Sequence, residues 1–238
     1  MDKKQPLIGI TTCPYPEYDG EKLRSDYIRR ITEVGGVPLL IPSPTLAEAD
    51  YPVFASTVLD ALDGLLLSGG GDYAPQLCGM EGEEEPTPRD LLEIALLKEA
   101  WERRLPVLGI CRGMQGMAAV LGGTLINLGP VGEGPHAQKD PRAVLTHDVT
   151  LLGELQSLYG WELWHVNSHH HQAVAKIPEG LRVGAFCTGD KIIEAIYARD
   201  RFWLGLQWHP ESYGEKEPFE ALLLAAKDYQ QEKGKASC

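Results

Sequence analysis

The stretch that decides the fold is Pro106-Val-Leu-Gly-Ile-Cys-Arg-Gly-Met-Gln115. Val107 to Ile110 is the short unbroken apolar run of a strand buried on both faces, and Met114 to Leu121 continues as a helix pattern. Between them stands Cys111, with Gly109 two residues before and Gly113 two residues after. Gly-x-Cys-x-Gly is the thiol counterpart of the Gly-x-Ser-x-Gly nucleophile elbow. A strained strand-to-helix turn explains the glycines, because a side chain at either position would meet the crossing backbone. The turn lifts the sulfur above the sheet edge, at a helix N-terminus whose partial positive charge favours an anion. Read alone, the same residues also fit a buried core cysteine.

Outward from this segment, strands are predicted over Leu7–Thr12, Val37–Ile41, Gly64–Leu67, Val144–Leu152, Arg182–Phe186, Ile192–Tyr197 and Trp203–Trp208. Leu23, Tyr27, Ile31 and Val34 share one helix face, stopped by Gly35-Gly36. Leu91, Ile94, Leu97 and Trp101 form a second face, introduced by Thr87 as N-cap, Pro88 in the first turn and Asp90 at the positive end. Strands alternating with helices imply right-handed crossovers and a mainly parallel sheet. Beyond Thr146 the strands crowd together, which predicts an antiparallel portion. The expected fold is α/β, a flavodoxin-like doubly wound sheet flanked by helices, in one domain over residues 1–238. Ligands of such sheets gather beyond the carboxyl ends of the strands. Gly69–Asp72, Cys111 and His209 all fall at that edge.

A second segment separates the two readings of Cys111. In Trp203-Leu-Gly-Leu-Gln-Trp-His-Pro-Glu211 an apolar run ends in His209, with a carboxylate two residues on. Nucleophile, base and orienter are then all present, as covalent catalysis requires. Together with Leu67-Ser-Gly-Gly-Gly-Asp-Tyr-Ala-Pro75, Pro88-Arg-Asp90 and Val166-Asn-Ser-His-His-His-Gln172, these segments stand in the order of a known family. The chain resembles the class I glutamine amidotransferase superfamily, and within it the gamma-glutamyl-gamma-aminobutyrate hydrolase group of cysteine peptidases. The resemblance implies a catalytic triad of Cys111, His209 and Glu211. It implies an oxyanion hole made by the N–H of Arg112 and that of Gly70 or Gly71, the sequence leaving the choice between the glycines open. It also implies a glutamyl pocket lined by Asn167, Ser168, His170 and Gln172, with a role in substrate binding for Gln115.

The residues themselves carry part of this. Ser68-Gly-Gly-Gly-Asp72 lets backbone N–H groups approach a carbonyl closely, although by itself it also fits an ordinary turn. It lacks the Gly-Lys-Ser/Thr ending of a phosphate loop. Gln115 lies one helical turn beyond Cys111 on the same face, among small apolar neighbours that favour a pocket over a surface position. His165, His169, His170 and His171 bring four histidines into seven residues. Consecutive residues of an extended segment point to alternate faces, and no Asp, Glu or Cys adjoins them, so no metal and no cofactor is expected. His169 and His171 fall at variable positions of the family pattern, with His171 facing the distal part of a substrate. His136 and His147 are expected to be structural or solvated.

Composition bounds the function from outside. A chain of 238 residues, 43% hydrophobic, suits one sizeable core. No apolar run reaches the roughly 18 residues of a membrane span, and the N-terminal sequence shows no signal-peptide pattern. Five cysteines (13, 78, 111, 187 and 238), irregularly spaced and without a Cys-x-x-Cys pair, point to reduced thiols and a cytoplasmic protein. A net charge of −12 disfavours nucleic acid and anionic membranes as partners. Glu81-Gly-Glu-Glu-Glu85 is expected to be a solvated loop. The expected activity is a cofactor-independent hydrolase of small-molecule gamma-glutamyl amides, of the kind that serves polyamine catabolism, with a homodimer left open. Two alternatives stand beside it: a glutaminase subunit feeding ammonia to a separate synthetase, and a non-catalytic binding module. The Asn-Ser-x-His-x-Gln segment, where ammonia-delivering subunits carry a Tyr-His-Ser-Leu-like one, speaks against the first, and the intact triad against the second.

Overall fold

The computed structural model describes residues 4–130, 134, 136–139 and 141–236. The chain opens with β1 (Leu7–Thr11), a hairpin of β2 (Cys13–Tyr15) and β3 (Gly20–Lys22), α1 (Ser25–Glu33) and β4 (Val37–Ile41). Helix α2 (Tyr51–Asp60) leads to β5 (Gly64–Leu67), and α3 (Pro88–Glu102) leads to β6 (Val107–Ile110). Then come α4 (Arg112–Val120), β7 (Thr124–Asn127), β8 (His147–Leu151), α5 (Gly153–Tyr159), β9 (Leu163–Val166) and β10 (Gln172–Lys176). The chain closes with β11 (Leu181–Cys187), β12 (Ile193–Ala198), β13 (Trp203–Leu206), the short α6 (Pro210–Tyr213) and α7 (Glu217–Ala236).

All strands but β2 and β3 join one sheet, whose main path runs β4-β1-β5-β6-β13-β12-β11-β8-β9. Its first five strands are parallel, and from β13 onward every pairing is antiparallel. The α/β expectation therefore holds, with the change of direction at β13. The parallel strands β5, β6 and β13 are buried along their whole length, as helices on both faces require. One apolar layer packs Ala55 and Leu59 of α2, Leu92 and Leu96 of α3 and Met117 of α4 beneath the sheet. The opposite layer packs Tyr27 and Ile31 of α1 with Phe219, Leu222 and Ala226 of α7. No helix among the described residues is long and apolar enough to cross a membrane.

Local chemistry explains the element ends. Thr87 caps α3 as expected: its hydroxyl accepts from Asp90 N–H, and the Asp90 carboxylate accepts from Thr87 N–H at 2.7 Å. Gly35 stops α1 at φ +94°, a conformation that a side chain would disfavour. Residues 81–85 are exposed, as their charge predicts. Some boundaries shift: the strand expected from Val144 begins at His147, and the helix face expected from Leu23 begins at Ser25. The sequence reading did not include the β2–β3 hairpin, β7, β9, β10, α2, α5 or α7.

Candidate active site

Cys111 occupies the turn between β6 and α4 at φ +53° and ψ −104°, a left-handed conformation rare for a residue with a side chain. Its neighbours show why glycines flank it. A Cβ on Gly109 would stand 2.6 Å from the Gly113 carbonyl carbon, and one on Gly113 would stand 2.5 Å from the Leu67 oxygen. The Cys111 N–H donates to the Leu206 carbonyl at 2.7 Å, which ties the elbow to β13. Arg112 takes the first helical position, where the N–H has no intrahelical acceptor.

His209 lies just beyond β13, buried, with Nδ1 2.8 Å from Oε1 of the fully buried Glu211. Burial alone would lower the imidazole pKa; the negative charges of Glu211 and Cys111 outweigh it and raise His209 to about 10. Asn167 grips the His209 backbone from both sides: its Oδ1 accepts from His209 N–H at 2.8 Å, and its Nδ2 donates to His209 O at 3.2 Å. Gly69 leaves room for the ring, since a Cβ there would lie 2.8 Å from His209 Cε1. His169 packs edge-on to His209, ring centroids 5.7 Å apart. Burial and the positive charges of His209 and Arg142 push His169 down to about 4, so this second imidazole is neutral where His209 is charged.

A buried ionic network shapes the Gly-rich loop. The Arg89 Nη2 donates to the carbonyls of Ser68 and Gly69 at 3.0 and 3.2 Å, and Arg112 Nη1 donates to Gly71 O at 2.8 Å. Glu93 accepts from Arg89 Nε at 2.8 Å and Arg112 Nε at 3.0 Å, and Asp90 accepts from Arg112 Nη2 at 2.7 Å. The Arg112 guanidinium also lies 3.7 Å over the Tyr73 ring. Burial works to raise the Glu93 carboxyl, but the two guanidiniums prevail and hold it below its ordinary range. On the other side of the loop, Gly69 N–H donates to the buried Tyr27 hydroxyl at 2.9 Å.

A cavity of about 290 Å³ opens over this assembly, with Cys111, His209, Gly70 and His169 among its walls and Lys22, Arg24 and Arg142 at its rim. The structure thus brings Cys111, His209, Glu211, Gly70 and the Arg112 backbone to one place. The remaining predicted residues do not line this cavity. Gln115 Nε2 donates to Gln172 O at 3.0 Å and Gln207 Oε1 at 3.3 Å, and Gln172 Nε2 donates to Asn127 Oδ1 at 3.1 Å. Asn167 is spent on His209, Ser168 Oγ lies 3.2 Å from His136 Nδ1, and His170 turns toward Glu194. Gly71 is joined to Arg112 through its carbonyl, and His171 Nε2 lies 2.8 Å from Asp72. Tyr27, Arg89 and Glu93 escaped the sequence reading. Pro88-Arg-Asp90 marked the place of Arg89, but nothing local says that its guanidinium reaches a loop some twenty residues earlier.

The chain is similar to known proteins over most of its length. The family model of Peptidase C26 matches residues 6–211. A candidate glutamine amidotransferase of Mycobacterium tuberculosis is 38% identical, over 96% of this chain and 77% of that protein. The gamma-glutamyl-gamma-aminobutyrate hydrolase of Escherichia coli O157:H7 is 33% identical, over 87% of this chain and 85% of its own length. Among solved structures, a candidate GMP synthase protein of Thermoplasma acidophilum shares the fold, with a TM-score of 0.66 at 18% identity, covering 98% of this chain and 99% of that one. With its elbow, its sheet and most of its length accounted for, the chain belongs to the Peptidase C26 family of hydrolases, within the class I glutamine amidotransferase-like superfamily.

Proposed function

We propose that the protein hydrolyses gamma-glutamyl amides through a glutamyl thioester on Cys111. The observation that carries this reading is the meeting of Cys111 and His209 at one cavity, with Glu211 buried behind the imidazole and His209 holding a proton at neutral pH. The Cys111 thiolate attacks the side-chain carbonyl carbon of the glutamyl group. Charge develops on the carbonyl oxygen, and two backbone N–H groups are suited to receive it. One is that of Arg112. The other is that of Gly70: Arg89 holds the Gly69 carbonyl, and across a trans peptide the Gly70 N–H faces the opposite way. This favours Gly70 over Gly71. As the C–N bond breaks, the His209 imidazolium gives its proton to the departing nitrogen and an amine leaves. The neutral His209 then takes a proton from water, whose oxygen attacks the thioester; glutamate departs and the thiolate and imidazolium are restored.

The rim favours one class of leaving group. The chain carries a net charge of −12, yet Lys22, Arg24 and Arg142 border this cavity. An amine half that carries a carboxylate fits such a rim better than a cationic one. Gamma-glutamyl-gamma-aminobutyrate has that character. The test is a panel of kcat/KM values for gamma-glutamyl-gamma-aminobutyrate, a gamma-glutamyl amide of a cationic diamine, and glutamine, with amine and ammonia release measured separately. The carboxylate-bearing amide is expected to rank first. Glutamine ranking first, with a further rise when a synthetase partner is added, would hand the protein to the ammonia-supplying class.

A further inference from the structure

Behind the wall of the catalytic cavity, the fold assembles a cluster that the sequence scatters. His136 comes from the segment before β8, His170 from the segment before β10, and Glu194 from β12; all three are buried. One ligand atom from each lies within 4.8 Å of the others. The outer ring nitrogens are committed. His136 Nε2 lies 2.9 Å from Asp190 Oδ2, and His170 Nδ1 lies 3.0 Å from the Gln172 carbonyl. A carboxylate and a carbonyl only accept, so both outer nitrogens carry hydrogen. His136 Nδ1 and His170 Nε2 are then the ring nitrogens turned toward the Glu194 carboxylate, each able to offer a lone pair to an ion. Imidazoles oriented by a carboxylate and a backbone carbonyl are the usual surroundings of a metal-bound histidine.

The distances at the centre are long for ion pairs and suit a shared cation. His136 Nδ1 and His170 Nε2 lie 3.2 and 3.5 Å from Glu194 Oε1. Charge-assisted N–H···O bonds close to about 2.7–2.9 Å. Neither Glu194 oxygen, nor His170 Nε2, has a hydrogen-bond partner among the described residues. Ligands on a tetrahedral ion with bonds of about 2.0–2.1 Å are separated by about 3.3–3.5 Å. His136 Nδ1 also stands 3.2 Å from Ser168 Oγ, and His147 Nε2 reaches the same Glu194 oxygen at 3.4 Å from outside the trio.

We propose that His136, His170 and Glu194 bind one divalent ion of the zinc class, with Asp190 and the Gln172 carbonyl orienting the two imidazoles. The sequence reading weighed only carboxylates adjoining the clustered histidines, and Glu194 is remote from them in the chain. The site stands apart from the reacting atoms and does not depend on the hydrolase reading. Its effect is structural. The ion joins three segments beside Ser168, next to the Asn167 that holds the His209 backbone. His170 also borders a surface cleft with Gln138 and His171, which gives an ion a route in.

The experiment uses tag-free, metal-stripped full-length protein carrying Cys111→Ala, so that the elbow thiol cannot serve as a ligand. Titration with Co²⁺ is expected to load one ion per chain with the strong visible absorption of a tetrahedral site, and Zn²⁺ to displace it and raise Tm. His136→Gln and Glu194→Gln should each abolish loading, and the loop position of the first gives a folded variant if the second does not fold. Asp190→Asn should weaken binding by about 10–100-fold. Cys187→Ser and the surface changes His165→Gln and His171→Gln should leave it intact. Absence of stoichiometric uptake, or uptake that survives His136→Gln, would show that the cluster shares only protons and would overturn the proposal. Loss of binding in Cys187→Ser would move the ion to the His136–Cys187–Asp190 side and overturn the assignment.

Discussion

Cys111 is the point at which backbone strain and chemistry meet. A non-glycine residue held at φ +53° and ψ −104° costs on the order of 1–3 kcal/mol, supported by the surrounding structure. Cys111→Gly should therefore abolish turnover while leaving the protein as stable as the parent or more stable, by up to about 1 kcal/mol in denaturant unfolding. A clear loss of stability would show that the elbow is relaxed. Glu211 acts on the reaction through His209. Its charge opposes the effect of burial, so Glu211→Gln should lower the imidazole pKa and move the basic limb of the kcat/KM profile from about pH 10 toward neutrality, with kcat falling more than KM rises. An unmoved limb would remove Glu211 from its orienting role. Because His209 is raised in the folded state, the stability it contributes is complete below its unfolded value near 6.5 and is lost as pH rises through about 10. At this scale the sequence was legible where sterics are local: Gly109 and Gly113 announce the elbow two residues away. The roles of Asn167 and Gln115 were not, because their partners, His209 and Gln207, arrive only with β13.

Between elements, the decisive contacts are the ones that α3 and α4 make with the loop after β5. Glu93 is the hub, fully buried between Arg89 and Arg112, with the hydroxyls of Thr11 and Tyr73 also donating to its oxygens. Glu93→Ala leaves two buried guanidiniums without their shared partner and should cost about 3–5 kcal/mol. It should also release the Ser68, Gly69 and Gly71 carbonyls and reduce kcat, measurable as a joint fall in Tm and turnover. A loss below about 1 kcal/mol would place the network among surface pairs. The sign with pH is opposite to that of His209. Glu93 is depressed in the folded state, so its stabilisation is present above the unfolded carboxyl range and lost as pH falls through its folded value. The start of α3 was readable because a capping box is written in four consecutive residues. Strands β7, β9 and β10 were not: β7 and β10 pair with each other across some 45 residues, and β9 is an edge strand that carries exposed side chains. Leu163 stands exposed on β9, where a buried strand would carry it inside.

For the molecule as a whole, alternation of strand and helix sufficed to predict the parallel half, and crowding of strands sufficed to predict the antiparallel remainder. What pattern alone leaves unspecified is the order of the strands, and the order is what places β6 beside β13. Their pairing runs from Val107 opposite Trp203 to Ile110 opposite Leu206, and the Cys111 N–H adds one further bond to it. The distance between thiol and imidazole is thus an extension of a ladder in the middle of the sheet. Amides in such a place trade their hydrogen for deuterium only when the entire domain opens. Leu108 and Leu204 should be among the slowest to exchange, and heating should extinguish turnover at the same midpoint at which it unfolds the protein. Activity that disappears several degrees before those amides become labile would show that the elbow melts alone. If the two events coincide, heat alone yields no folded but inactive form, and the loss of turnover on warming is the loss of the whole sheet.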